Sequence, residues 1–149
     1  MKKRLKAAII LVLAVVTLLG NSLSVFAGTW YTTAKGWSYQ EDDGSLATGW
    51  KDINGKRYRF DPDGHMITGW FSQNNTWYLL KLDGSMAVGW AQDNGNWYYL
   101  AGDGVMCVGW VKTGGKWYYL NKDGAMRTEK LVADGTVYRF DSSGAWIEN

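Results

Sequence analysis

The chain has 149 residues, 46% of them hydrophobic and 15% aromatic, with ten tryptophans, one cysteine, one histidine and a formal charge of +2. That length leaves room for about one domain, and a single cysteine excludes an internal disulfide framework. One histidine and one cysteine, with no carboxylate expected at ligand spacing from His65, exclude a zinc site and a Cys/His dyad.

The first element is a targeting segment. Lys2, Lys3, Arg4 and Lys6 make a basic start, "AAIILVLAVVTLL" from Ala7 to Leu19 is apolar, and small residues at Val25 and Ala27 precede Gly28. Residues 1–27 therefore read as a signal peptide helix that is removed on export, ahead of a domain over 28–149. The apolar run is shorter than the ~20 residues of a bilayer crossing and no second run follows, so a retained anchor is the weaker alternative. The leader holds four of the sixteen Lys and Arg, which leaves twelve against fourteen Asp and Glu. A slightly acidic mature part without a basic stripe is no nucleic-acid binder.

From about Trp37 onward the chain repeats with a period of twenty. Asp-Gly recurs at 43–44, 63–64, 83–84, 103–104 and 123–124, with Ser143-Gly144 on the same beat, and Gly-Trp recurs at 49–50, 69–70, 89–90 and 109–110. An apolar residue follows each turn glycine by two: Leu46, Met66, Met86, Met106, Met126 and Trp146. A fixed period of this length marks a stacked array. Each aromatic run, such as "KWYYL", has β preference, is preceded by a turn pair (Asn54-Gly55, Asn74-Asn75, Asn94-Gly95, Gly114-Gly115, Asp134-Gly135) and leads into Asp-Gly or, in the last repeat, Ser143-Gly144. Each repeat thus predicts one β-hairpin and a linker carrying Gly-Trp. A lone hairpin buries too little surface to be stable, whereas stacked ones cover each other. The expected fold is all-β: a β-solenoid of about five to six 20-residue hairpin repeats, the first and last atypical.

Side chains alternate faces along a strand. The second and fourth positions of the aromatic runs (Tyr58/Phe60, Tyr78/Leu80, Tyr98/Leu100, Tyr118/Leu120, Tyr138/Phe140) are apolar or aromatic in every repeat, as a core face should be. The first position varies: Arg57, Trp77, Trp97, Trp117, Val137. Tryptophan there is optional for folding, which points to a ligand, although packing between repeats is the competing explanation. A glycine before Trp50, Trp70, Trp90 and Trp110 permits an unusual φ that aims the indole into a groove. Cys107 shares its beat with Ala47, Ile67, Ala87 and Arg127 and reads as a small packing residue; His65 reads as a surface residue.

Clustered indoles suit a quaternary ammonium, whose diffuse charge needs no hydrogen-bond partners. Sugars also stack on indoles but require polar neighbours, for which Gln73, Asn75, Asn94 and Asn96 are candidates that turn chemistry explains equally well. The acidic residues sit mostly at turn beats, the calcium-loop-like "DPDGH" at 61–65 lacks the spacing that would follow, and no nucleophile–base pair can be assembled. No enzyme activity, cofactor or metal is expected.

The recurring pattern seen from Gly109-Trp110 through Met126 closely resembles the choline-binding, or cell-wall-binding, repeats of Gram-positive surface proteins, over about residues 37–149. The resemblance implies a left-handed solenoid in which choline groups of teichoic acids lodge between consecutive repeats, caged by aromatics with a methionine or leucine nearby. Carried onto this sequence, it implies one cage of Trp70, Trp77 and Trp97 with Met86, and a second of Trp90, Trp97 and Trp117 with Met106. Tyr98 and Tyr118 are the alternatives for the third walls; alternation favours the tryptophans and would make Trp97 common to both cages. Trp110 and Trp117 begin a further cage that Tyr138 rather than an indole would close, and Trp50 begins one in which Arg57 would repel a cation. The implied protein is secreted, attached non-covalently to the cell wall through choline-bearing teichoic acid, and its exposed terminal repeats offer a homodimer surface. A glucan-type carbohydrate-binding module and a self-assembling structural protein are the competing functions.

Overall fold

The computed structural model describes residues 28–148; the expected signal peptide helix lies outside the described residues. Thirteen short strands follow one another: β1 Thr29–Thr33, β2 Gly36–Gln40, β3 Gly49–Ile53, β4 Lys56–Phe60, β5 Gly69–Gln73, β6 Thr76–Leu80, β7 Gly89–Asp93, β8 Asn96–Leu100, β9 Gly109–Thr113, β10 Lys116–Leu120, β11 Leu131–Ala133, β12 Thr136–Phe140 and β13 Trp146–Ile147. They pair as successive antiparallel hairpins, and β13 adds a third strand to the last. No helix occurs among the described residues. This is the all-β array of stacked hairpins that the period of twenty predicts.

Of the two turn signals in each repeat, the one before the aromatic run closes the hairpin. In β7–β8 the register pairs Gly89 with Leu100, Trp90 with Tyr99 and Asp93 with Asn96. The two residues between them, Asn94 (φ 46°) and Gly95 (φ 80°), both lie in the left-handed region, which matches the twist of the flanking strands. The Asp-Gly signal makes a smaller turn that brings the chain back across the end of the same strand. Gly104 N–H donates to the Ala101 carbonyl at 2.8 Å, Asp103 Oδ1 accepts from Val105 N–H at 3.1 Å, and Met106 bridges to Leu100.

Each hairpin has two useful faces. On β7–β8, Trp90, Trp97 and Tyr99 share one face, and Ala91, Asp93, Tyr98 and Leu100 share the other. The second face looks back at the preceding hairpin: Leu100 is wholly buried with Leu79 and Ala87, and Trp70, Ala91, Tyr98 and Met106 pack around them. Phe60, Leu80, Leu100 and Leu120, the fourth residues of their runs, are 0–1% exposed and form the apolar column of the stack.

Backbone hydrogen bonds tie the repeats together and cover strand edges that would otherwise be free to aggregate. The N–H groups of Met66, Met86, Met106 and Met126 donate to the carbonyls of Trp37, Arg57, Trp77 and Trp97 at 2.7–2.8 Å, reaching back past one complete hairpin. Each methionine is thereby fixed beside the first aromatic-run position of an earlier repeat. Its side chain then lies against the next Asp-Gly turn: a Cβ on Gly104 would collide with Met86 Sδ, and the turn's φ of +84° independently requires glycine.

Candidate aromatic clefts between hairpins

Among the described residues, successive hairpins meet along five aromatic clefts, each lined by residues of consecutive repeats. In the third, Trp70 and Trp77 stand edge to face with ring centroids 6.4 Å apart, Tyr98 of the next hairpin meets Trp70 at 4.7 Å, and Met106 packs against the same cluster. The fourth repeats it: Trp90 and Trp97 at 6.5 Å, Tyr118 at 4.8 Å from Trp90, and Met126 anchored through its N–H to the Trp97 carbonyl. Trp77 and Trp97 remain 45% and 43% exposed. The edge-to-face geometry leaves indole surface toward solvent instead of spending it on a sealed stack. The glycine before each inner indole has the required conformation, with Gly69 at φ +78°.

The third wall differs from the alternation-based expectation. Among the described residues, the ring that the next hairpin sets against Trp70 is Tyr98, and the one set against Trp90 is Tyr118. Trp97 and Trp117 lie on the opposite faces of their hairpins and therefore wall the following clefts, so Trp97 is not common to two. Alternation does separate the two rows, but in a solenoid both faces of a hairpin meet a neighbour, and the backward face carries the tyrosines. The methionines shift for the same reason. Met86 lines the second cleft, Met106 the third and Met126 sits at the fourth, one repeat later than expected.

A first cleft, not among those expected from the Gly-Trp pairs, precedes these. Trp30 of β1 meets Trp37 at 6.5 Å and Tyr58 at 4.9 Å, and these rings with Met66, Leu82 and Asp83 line a cavity of about 470 Å³. The signal was available: Thr29-Trp30 stands one period before Gly49-Trp50, with threonine in place of glycine.

The second cleft carries its own cation. Arg57 takes the place of the second indole, and its guanidinium lies 5.4 Å from the Trp50 ring centre; Arg59 lies 5.8 Å from the same ring and 5.0 Å from Phe71. Tyr78 supplies the forward wall at 5.0 Å from Trp50. Arg57, Gln73, Asn74, Thr76 and Asp103 give this cavity of about 310 Å³ a polar lining. Guanidinium groups stacked on the indole exclude a second cation by occupancy and by like charge.

The fifth cleft ends the array. Trp110 meets Trp117 at 6.4 Å and Tyr138 at 5.0 Å, and Trp146, on the methionine beat, closes in at 6.0 Å. Lys112 Nζ lies 5.6 Å from the Trp117 ring centre. An indole in place of a flexible methionine, with an internal ammonium on one wall, distinguishes this cleft from the two before it.

The remaining candidates resolve into turn chemistry and packing. The expectation that no carboxylate reaches His65 is corrected: Asp61, Asp63 and His65 offer ligand atoms within 4.8 Å of one another. The spacing arises because Asp61 Oδ1 accepts the N–H groups of Asp63 and His65 at 2.9 and 2.8 Å, and these bonds hold the Asp61 carboxyl below its usual range. Asp141 binds Ser143 and Ala145 N–H in the same way without a histidine, so the turn accounts for the cluster. Cys107 is half-buried, and desolvation pushes its thiol pKa up, which disfavours the nucleophilic thiolate.

A tandem stack of hairpins with solvent-open aromatic clefts defines a β-solenoid binding module. The chain belongs to the choline-binding repeat family, whose model matches residues 47–89, 87–124 and 107–149. Among solved structures, it is 37% identical to CbpJ from Streptococcus pneumoniae TIGR4, with a TM-score of 0.75 over 79% of this chain and 41% of that one. It is 38% identical to choline binding protein F from Streptococcus pneumoniae, determined in the presence of a peptidoglycan analogue (TM-score 0.74, 79% and 40% of the two chains). The pneumococcal cell wall endolysin from phage Cp-1, complexed with choline, is 37% identical (TM-score 0.61, 83% and 38%). The chain thus spans about two fifths of the length of these proteins. No curated protein matches it.

Proposed function

We propose that the protein is an exported cell-wall-binding module that holds choline groups of teichoic acids in its first, third and fourth clefts. The observation that carries this reading is the three-walled aromatic geometry with a methionine alongside, repeated at Trp30/Trp37/Tyr58, Trp70/Trp77/Tyr98 and Trp90/Trp97/Tyr118. Such walls attract a trimethylammonium group through ring quadrupoles and ask for no hydrogen bonds in return. The similar endolysin structure determined with choline supports the same ligand class. Two or three cation–π contacts of roughly 0.5–2 kcal/mol each amount to about the 4 kcal/mol of a millimolar site. One cleft would not retain a protein on a wall. Several clefts on one choline-bearing polymer gain about 10²–10⁴ through effective concentration, which makes retention cooperative in the number of working clefts.

A carbohydrate reading draws support at the second cleft, where Gln73, Asn74, Thr76 and Asp103 could satisfy hydroxyl groups. Retention on a choline-derivatised matrix, challenged with free choline and separately with soluble glucan, distinguishes the two. Elution by choline alone is expected; elution by glucan alone, or no retention, overturns the proposal.

A further inference from the structure

The clefts are not electrostatically equivalent, and the difference lies behind the indole of each Gly-Trp pair. For Trp50 and Trp70 the indole N–H meets one position near the strand end on the backward face of the next hairpin. In successive repeats this position holds Ile53, Gln73, Asp93, Thr113 and Ala133, a single beat whose polarity changes at every step. Trp50 Nε1–H donates to the neutral Gln73 Oε1 at 3.3 Å. Trp70 Nε1–H donates to the Asp93 carboxylate, Oδ2, at 3.1 Å. Thr113 is engaged by the Tyr99 hydroxyl at 3.3 Å, Ala133 has no acceptor, and Ile53 is buried among apolar side chains.

We infer that Asp93 is a specificity-determining residue that makes the third cleft the strongest cation site of the array; the inference rests on the choline reading of the clefts. The effect has two parts. A carboxylate accepting the indole N–H draws that hydrogen bond tight and pushes electron density into the ring. The π-face that a quaternary ammonium would contact is thereby more negative. The carboxylate also places a full negative charge behind the cleft wall, and a charge at that range still acts through a half-buried aromatic wall. Asp93 is held there by a second bond, from Asn94 Nδ2 at 3.0 Å to the same Oδ2, and by the β7–β8 register, which puts it on the face shared with Tyr98. Asp83 and Asp103 line the first and second clefts at their Asp-Gly turns, but Asp93 binds an indole of the cage itself.

The test is a choline titration of the full ¹⁵N-labelled chain, read at the assigned indole N–H resonances of Trp70 and Trp90, for wild type and for Asp93→Asn. Asparagine keeps an acceptor for the indole and removes the charge. The neutral isostere of choline, 3,3-dimethylbutan-1-ol, is titrated in parallel. Choline half-saturation at Trp70 should rise roughly three- to tenfold in D93N, half-saturation at Trp90 should stay unchanged, and binding of the neutral alcohol at Trp70 should be equal in both proteins. Unchanged choline binding at Trp70, or an equal loss for choline and the neutral alcohol, overturns the inference. An absence of choline response at every indole is a different result, because it removes the choline reading itself.

Discussion

Giving the second cleft the face of β8 should create a choline cage where the proposed function places none. Arg57→Trp with Arg59→Tyr copies the Trp97/Tyr99 pair onto β4, opposite Trp50 and with Tyr78 and Met86 already in place. The substitution removes a guanidinium centred 5.4 Å from the Trp50 ring. At about 5 Å, repulsion of a second cation is worth from ~0.8 kcal/mol in bulk water to ~3 kcal/mol at an effective dielectric of about 20. The new indole adds roughly 0.5–2 kcal/mol of attraction. Together these predict a gain of at least about tenfold in choline affinity at this cleft. Against it, the fold loses the arginine–indole contacts, worth ~0.5–1 kcal/mol each at an exposed site, so a small drop in melting temperature is expected. The assay is the Trp50 indole N–H resonance under choline titration, silent in wild type and responsive in the double variant. A double variant that melts cooperatively near wild type while Trp50 stays silent would refute the idea that Arg57 and Arg59 are what close this cleft.

Four further outcomes are expected. Tyr98→Ala should weaken choline binding at the third cleft and Trp97→Ala at the fourth, each leaving the other cleft within about twofold, as read from the Trp70 and Trp90 resonances; a joint loss would contradict the division of hairpin faces. Asn75, at φ +61° in the turn of β5–β6, occupies a position where glycine is preferred, so Asn75→Gly should raise stability by roughly 0.5–1 kcal/mol in thermal melts. Desolvation of Cys107 should make its alkylation by iodoacetamide at neutral pH several times slower than in the urea-unfolded chain. Asp83 is held down to about 2, chiefly by the hydroxyl and N–H of Ser85 and then by Lys56. Because this lies below the ~3.9 of an unfolded aspartate, its contribution is present above about pH 4 and is lost as pH falls through about 2. Exposure keeps it small, and in urea titrations Asp83→Asn should lose less stability than wild type over that interval.

Much of the fold could be read from the repeat. The twenty-residue beat, the paired turn signals and the apolar fourth positions specify hairpins, their number and the buried column of Phe60, Leu80, Leu100 and Leu120. The members of each cleft were only half legible. Trp70 with Trp77 and Trp90 with Trp97 follow from one hairpin's alternation, since both partners sit on the same face. Tyr98, Tyr118 and the shifted methionines depend on how one hairpin docks on the next and on the bond from Met106 N–H to the Trp77 carbonyl, neither of which has a local sequence signal. Tyr98 does two jobs on one face, core neighbour of Leu100 and wall for Trp70; alternation favours the first and leaves the second only as the alternative to Trp97. Thr29 hides the first cleft because threonine replaces glycine in the Gly-Trp pair there, although Trp30 and Trp37 keep the beat. Asp93 reads as an ordinary residue before a turn until the Trp70 N–H is seen pointing at it.

In the proposed binding mode a quaternary ammonium sits between hairpins, against an indole pair from one and a tyrosine from the next. Intermolecular NOEs from the choline methyl protons test it most directly. Contacts are expected to Trp70, Trp77 and Tyr98 as one set and to Trp90, Trp97 and Tyr118 as another, with Trp50 unvisited. Methyl NOEs confined to strand ends or turns, or saturating binding with none to these rings, would contradict it.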